Sequence, residues 1–266
     1  MIFRISLFRS FFFLVGASII LSSCITNKKL QYFQKDDVNK KNLLKDTVVR
    51  SYDLERYDYR VQPHDALVIN FESVTSAEFD FLSKSDRQNV SGAQGGFILN
   101  SELVNDKGDI SFPVIGDVKV VGLTIFEIQE KLQALANQFL EEVVVKVRLV
   151  NFRFTVLGEV NSEGTVVSYN SRVTLPEALG LSGGAGELAD RSNIKVIRQQ
   201  NGKLEVGYVD LLNEDIAESP YYYIHQNDVL IVPALRQRPF RRYFGPNLSL
   251  FVSSLSLLIL VLNLNK

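Results

Sequence analysis

The chain has 266 residues and a formal net charge of −1, which leaves room for two modest domains plus anchors and gives no basic footprint for nucleic acid. Hydrophobic residues make up 46% and charged residues 22%, the proportions of a globular protein, so the middle of the chain is expected to fold. A single cysteine excludes an internal disulfide or a thiolate cluster, and two histidines far apart leave no His-rich metal site. No metal and no cofactor is expected.

The front of the chain reads as an export signal. Arg4 and Arg9 make a basic region, residues 11–21 an apolar region of signal-peptide length, and Leu21-Ser22-Ser23 leads into the only cysteine, Cys24. This order resembles a bacterial lipobox, in which residues 1–23 are removed and Cys24 becomes a lipid-modified N-terminus. Several buried acyl chains, at about 0.8 kcal/mol per methylene, make a stable anchor. Ile25 follows the cysteine, in place of the aspartate associated with retention in the inner membrane, and this favours the outer membrane. Residues 24–52 are polar and lysine-rich without a sustained period, and are expected to act as a tether.

The body opens at residues 59–69, an extended approach, a turn at Pro63-His64-Asp65, and a strand. Residues 76–100 are rich in Ser, Gln, Asn and Gly and predict a long loop. Asp106-Lys107-Gly108-Asp109 is a turn before a strand over 110–114, and Gly116-Asp117 turns into 118–121. These aspartates lack the further acidic positions of a calcium loop and read as turn chemistry. Thr124 and Glu127 form a capping box. Ile125, Ile128, Leu132, Leu135 and Phe139 follow at helical spacing, predicting a helix packed by one face on a sheet. The β-branched run 143–149 is a strand.

The second half repeats this grammar. Residues 152–160 and 165–169 are strands joined by Asn161-Ser162-Glu163-Gly164. Thr174 and Glu177 form another capping box, with Pro176 in the first turn of a short helix ending at Ser182-Gly183-Gly184. Strands over 194–199 and 204–209 meet across Asn201-Gly202, a strong hairpin signal. The closing segment 223–233 echoes the opening one: with Asp228 set on Asp65, Leu230 falls on Leu67, Ile224 on Val61 and His225 on Gln62. A strand–helix–hairpin unit of this kind suggests a β-grasp-like module. His64 needs only a turn role, since histidine tolerates positive φ better than most residues.

No Ser-His-Asp arrangement with a recognisable nucleophile elbow, no phosphate loop and no dinucleotide fingerprint is evident, so no enzyme activity is expected.

At the end of the chain, residues 236–247 combine Arg236, Arg238, Arg241 and Arg242 with Phe240, Tyr243 and Phe244, the composition of a membrane-interface belt. Residues 248–264 contain no charge and as a helix would extend about 25 Å, adequate for a thin outer membrane. Ser249, Ser253, Ser256 and Asn263 fall within about 80° of one another on that helix. Such a stripe suits helix packing or the lining of a wet pore.

From residue 59 to 233 the chain resembles the Wza-like polysaccharide export lipoproteins of Gram-negative bacteria. Residues 59–69 are similar to the opening Tyr-x-Ile/Val-x-Pro-Gly-Asp-x-Leu-x-Ile of their export domain, 108–116 to Gly-x-Ile-x-x-Pro-x-x-Gly, and 122–127 to Gly-Leu-Thr-x-x-Glu. Residues 156–160, 175–179 and 227–233 resemble the SLBB (soluble-ligand-binding β-grasp) domain that follows. His64 and Asn227 stand where the family has glycine; both can adopt the left-handed backbone.

The resemblance implies an α+β fold: a polysaccharide export domain over 53–150, one SLBB domain over 151–235, and a C-terminal transmembrane helix over 248–264. It further implies a homo-oligomeric ring held in the outer membrane by lipid, with capsular polysaccharide or exopolysaccharide as cargo. An inner-membrane copolymerase, often coupled to a tyrosine kinase, would deliver it. The alternative reading is a non-pore periplasmic adaptor or glycan-binding lipoprotein.

Overall fold

The computed structural model describes residues 27–35, 45–54, 57–73, 101–113, 115–140, 142–200, 202–239, 242 and 245–264. The signal segment with Cys24 and the whole of the expected 76–100 loop lie outside them. The body is α+β and built as two units. In the first, β1 (Ala66–Ser73) is central, flanked by β2 (Glu102–Leu103) and by β5 (Val143–Leu149), with both pairings antiparallel. A hairpin of β3 (Asp109–Phe112) and β4 (Gly116–Lys119) sits beside this sheet. Gly116 and Asp117 thus pair with Phe112 and Ser111 inside the ladder instead of forming the turn predicted there.

Helix α1 (Ile125–Ala136) starts at the predicted capping box: Thr124 Oγ1 accepts from the Glu127 amide, and Glu127 accepts from the Thr124 amide at 2.7 Å. Its inner face, Ile128, Leu132 and Ala136, is fully buried against the alternating Val143, Val145, Val147 and Leu149 of β5. Burying each such side chain contributes about 1.5–3 kcal/mol. Gln133 fixes the register by donating to the Val143 carbonyl at 2.6 Å and accepting from the Val145 amide at 2.9 Å. Phe139, placed on the same stripe by sequence, lies past the C-cap Asn137 in a turn and is exposed. The helix stops one turn earlier than its apolar spacing suggests.

The second unit is a mixed sheet in the order β7-β6-β10-β8-β9. The strands are β6 (Phe152–Gly158), β7 (Gly164–Ser168), β8 (Ile194–Gln200), β9 (Lys203–Val209) and β10 (Val229–Val232). The last strand inserts centrally, parallel to β6 and antiparallel to β8, as a β-grasp-like module requires. Gly158 has φ +98°, and a Cβ there would stand 2.2 Å from the Val232 carbonyl oxygen; only glycine lets β6 and β10 close at this end. Helix α2 (Leu175–Leu181) begins at the Thr174/Glu177 box and buries Leu175, Ala178 and Leu179. It ends in a Schellman arrangement, with Gly184 N–H donating to Leu179 O at 2.8 Å and Gly183 N–H to Gly180 O at 3.0 Å. The string Gly180-Leu181-Ser182-Gly183-Gly184 has the spelling of a nucleophile elbow. Its serine, however, closes a helix: Ser182 is buried and its hydroxyl donates to the Ala178 carbonyl at 3.0 Å.

The tail forms helix α3 (Gly245–Leu264), beginning three residues before the predicted start. It is about 30 Å long, and its described apolar side chains, from Leu250 to Val261, are all exposed. The transmembrane helix expected over 248–264 is not shown: among the described residues, no helix is long and apolar enough to cross a membrane.

Candidate functional site

The two units meet at a two-residue link, Val150-Asn151, between β5 and β6. Two aspartate turns face each other across it. In the first, His64 has φ +70°, the Gln62 amide donates to Asp65 Oδ2 at 2.8 Å, and the Asp65 amide returns to the Gln62 carbonyl at 3.2 Å. In the second, Asn227 has φ +64°, the His225 amide donates to Asp228 Oδ2 at 2.8 Å, and the Asp228 amide returns to the His225 carbonyl at 3.2 Å. Asn151 ties them together. Its side chain accepts from the Ala66 amide at 2.9 Å and donates to the His64 carbonyl at 3.0 Å, while its own carbonyl accepts from Gln226 Nε2 at 3.0 Å.

Both carboxyls are buried, and burial pushes each above the ordinary carboxylate range. Asp65 is met by the Tyr59 hydroxyl at 2.6 Å, whose own ionisation burial and Asp65 push strongly upward. Asp228 is met by the Arg198 guanidinium, with Nη2 at 2.8 Å and Nε at 3.1 Å. Arg198 also donates to the carbonyls of Tyr223 (2.9 Å) and Pro220 (3.3 Å) and lies over the Tyr221 ring.

Beside this junction lies a cleft of about 450 Å³. Asp53 and Tyr57 form one wall, Arg198 and Gln200 of β8 another, and Glu218, Ser219, Tyr222, Tyr223 and His225 the third. Tyr57 stacks on His225 at 4.8 Å and on Tyr223 at 5.6 Å, Tyr222 meets Tyr223 edge-on at 5.1 Å, and Arg172 lies over the Tyr223 ring. Burial, then Arg198, lowers the His225 imidazole to about 4, and burial raises the Tyr57 phenol to about 12. The cleft is therefore neutral in both groups at physiological pH. Sequence reading did not find it, because its walls come from segments more than 140 positions apart.

The expected tether is not a free spacer over the residues described. Phe33 and Gln34 donate backbone bonds to Leu211 and Leu212, Tyr32 receives the Arg191 Nε–H at 2.9 Å, and Arg50 pairs with Glu214. The other end of the chain fastens to the loop that carries Arg191: Asp190 N–H donates to Pro233 O at 2.7 Å and Leu235 N–H to Leu188 O at 2.7 Å. The front segment is thus held mainly by residues 211–215 and touches the loop 188–191 through Tyr32 and Arg191, while the exit toward the tail is bonded to that loop by its backbone.

Of the sequence-predicted site residues, Cys24, Phe240, Arg241, Tyr243 and Phe244 lie outside the described residues. Arg236 and Arg242 are exposed. Arg238 is half-buried and pairs with Glu159 of the second unit at 2.7 Å, so it fastens the tail segment to the body. Ser249, Ser253, Ser256 and Asn263 all fall within α3. Ser253 is exposed, and the Ser256 hydroxyl donates to the Val252 carbonyl of its own helix at 2.9 Å. Among the described residues no group of three or more His, Cys, Asp or Glu could hold a metal ion.

Residues 53–150 match the family described as polysaccharide biosynthesis/export protein, and residues 152–232 match the SLBB domain. Residues 53–150 thus carry a polysaccharide biosynthesis/export domain, and an SLBB domain follows it in series. It is 33% identical over 100 residues to the EPS I polysaccharide export outer membrane protein EpsA of Ralstonia solanacearum. That match spans 36% of this chain and 26% of the relative. In these terms the paired aspartate turns and the cleft lie on the seam between the export domain and the SLBB domain.

Proposed function

We propose that this protein is an outer-membrane lipoprotein subunit of a ring-shaped homo-oligomeric translocon. It passes capsular polysaccharide or exopolysaccharide from the periplasm to the cell surface. The observation that carries this reading is the export domain and SLBB domain joined in series, followed by a helix whose described apolar residues are all exposed in the single chain. An apolar surface of that kind calls for a partner. α3 is read as finding it in the α3 helices of neighbouring subunits and in lipid, so that the helices meet the membrane as an assembly. Cys24 adds the lipid anchor. Ser249, Ser253, Ser256 and Asn263 then face the lumen or a neighbouring helix, while Arg236, Arg241 and Arg242, with Phe240, Tyr243 and Phe244, meet headgroups. An inner-membrane copolymerase or tyrosine kinase delivers the polymer. The transfer makes and breaks no bond.

A second reading, a non-pore adaptor or glycan-binding lipoprotein, is favoured by one observation: no helix among the described residues is long and apolar enough to cross a membrane. Removal of residues 246–266 separates the two. The truncated chain is expected to remain folded and lipid-anchored but to lose surface polysaccharide. Undiminished export, or particles without a central lumen when the detergent-extracted full chain is imaged by electron microscopy, would favour the adaptor.

A further inference from the structure

We propose that the cleft on the seam of the two domains is a binding site for a neutral segment of the polysaccharide. Several features point to this ligand class. At about 450 Å³ the cleft falls within the range of small-ligand sites, about 300–1,000 Å³, and is large enough for linked sugar rings. Its aromatic wall is set in advance, because Tyr57, Tyr223, Tyr222 and His225 hold one another by stacking and edge contacts. Rings locked in this way lose little freedom when a ligand docks.

The polar groups around that wall are unspent. Among the described residues, the side chains of Asp53, Gln200 and Glu218 and the hydroxyls of Tyr57, Tyr222 and Tyr223 carry no hydrogen bond within the chain. A sugar ring has an apolar C–H face for the aromatic wall and a rim of hydroxyls for carboxylate, amide and phenol. Phosphate and carboxylate ligands fit poorly. Asp53 and Glu218 repel them, and the cation that lines the cleft, Arg198, is already held by buried Asp228. A compact cation would gain from the two carboxylates but would leave the aromatic wall unused.

The proposal rests on the reading of the chain as a polysaccharide exporter, and the two can fail separately. The full-length lipidated chain in detergent is titrated calorimetrically with cellohexaose, maltohexaose and mannohexaose, and with an all-uronate hexamer. At least one neutral hexasaccharide is expected to bind at least tenfold tighter than the uronate. Asp53→Asn at the exposed rim and Tyr222→Ala at the wall are each expected to weaken binding about tenfold or more, with far-UV circular dichroism unchanged in the rim variant. Absence of binding by all three neutral probes, equal binding of the uronate, or binding indifferent to Asp53→Asn overturns the cleft assignment. Surface polymer measured in parallel keeps the readings apart. A chain that exports but binds no oligosaccharide loses only the cleft, whereas a tail-truncated chain that still exports loses the ring, whatever the cleft binds.

Discussion

The two domains assemble the same local device in opposite chain order. In the export domain the approach strand comes before the helix it meets: Val61 N–H donates to Leu123 O at 2.9 Å and Arg60 bridges Thr124, the N-cap of α1. In the SLBB domain it comes after: Ile224 N–H donates to Val173 O at 2.8 Å and Tyr223 bridges Thr174, the N-cap of α2. Each approach then enters a left-handed residue and an aspartate that caps its own turn. The difference lies in what completes the aspartate. The export domain uses the neutral Tyr59 hydroxyl, and the SLBB domain a cation, Arg198, from the neighbouring strand. The backbone motif therefore fixes the turn, while the remaining lone pairs are filled by whatever the packing supplies. A charged partner brings with it a greater dependence, since its removal leaves a fully buried carboxylate without the cation that meets it.

That contrast can be broken most sharply at Arg198. Arg198→Met leaves Asp228, whose side chain is fully buried, without its cation, and is expected to destabilise the chain by about 3–5 kcal/mol. Asp228→Asn in the same chain should recover part of the loss. Chemical denaturation of single and double variants measures the coupling, and additive losses would show that the pair does not act as a unit. In the other turn, Asp65→Ala removes the acceptor for Tyr59 Oη–H and the Gln62 amide. The expected cost is smaller, about 1–3 kcal/mol; a loss equal to that of Arg198→Met would erase the distinction between the two turns.

A third effect is in acid. His225 titrates near 6.5 when unfolded and near 4 when folded. Between those values the unfolded chain binds more protons, so stability is lost as pH falls through that window and the loss levels off below it. Gln62, the matching residue of the other turn, does not titrate. His225→Gln should flatten the midpoint-against-pH curve between pH 6.5 and 4. An unchanged slope would assign acid sensitivity elsewhere.

What was legible in the sequence is what neighbours in sequence decide. The two capping boxes, the Asn201-Gly202 hairpin, the strand over Val143–Leu149 and the correspondence of Asp65 with Asp228 all depend on residues a few positions apart. The left-handed state of His64 and Asn227 was legible too, because only a few side chains tolerate positive φ. The end of α1 was not. Phe139 continues the apolar spacing, but the backbone has already turned at Asn137. Least legible were contacts without a local period: Tyr32 with Arg191, Arg50 with Glu214, Arg238 with Glu159, and the stacking of Tyr57 on His225. These decide that the front segment lies along the SLBB domain and that a cleft exists at the seam. Arg238 shows the limit of composition. Its place in a basic-aromatic stretch suggested lipid, and its partner is a carboxylate of the folded body.

Asn151 has a mechanical consequence. The link between the domains is two residues long, and one of them holds both sides through a carbonyl, an amide and the Gln226 side chain. A junction stitched this way has almost no slack. A displacement of the export domain would therefore be carried into the SLBB domain and not absorbed at the link. A looser hinge would let each domain yield by itself, and the motion would be spent before it reached the far end.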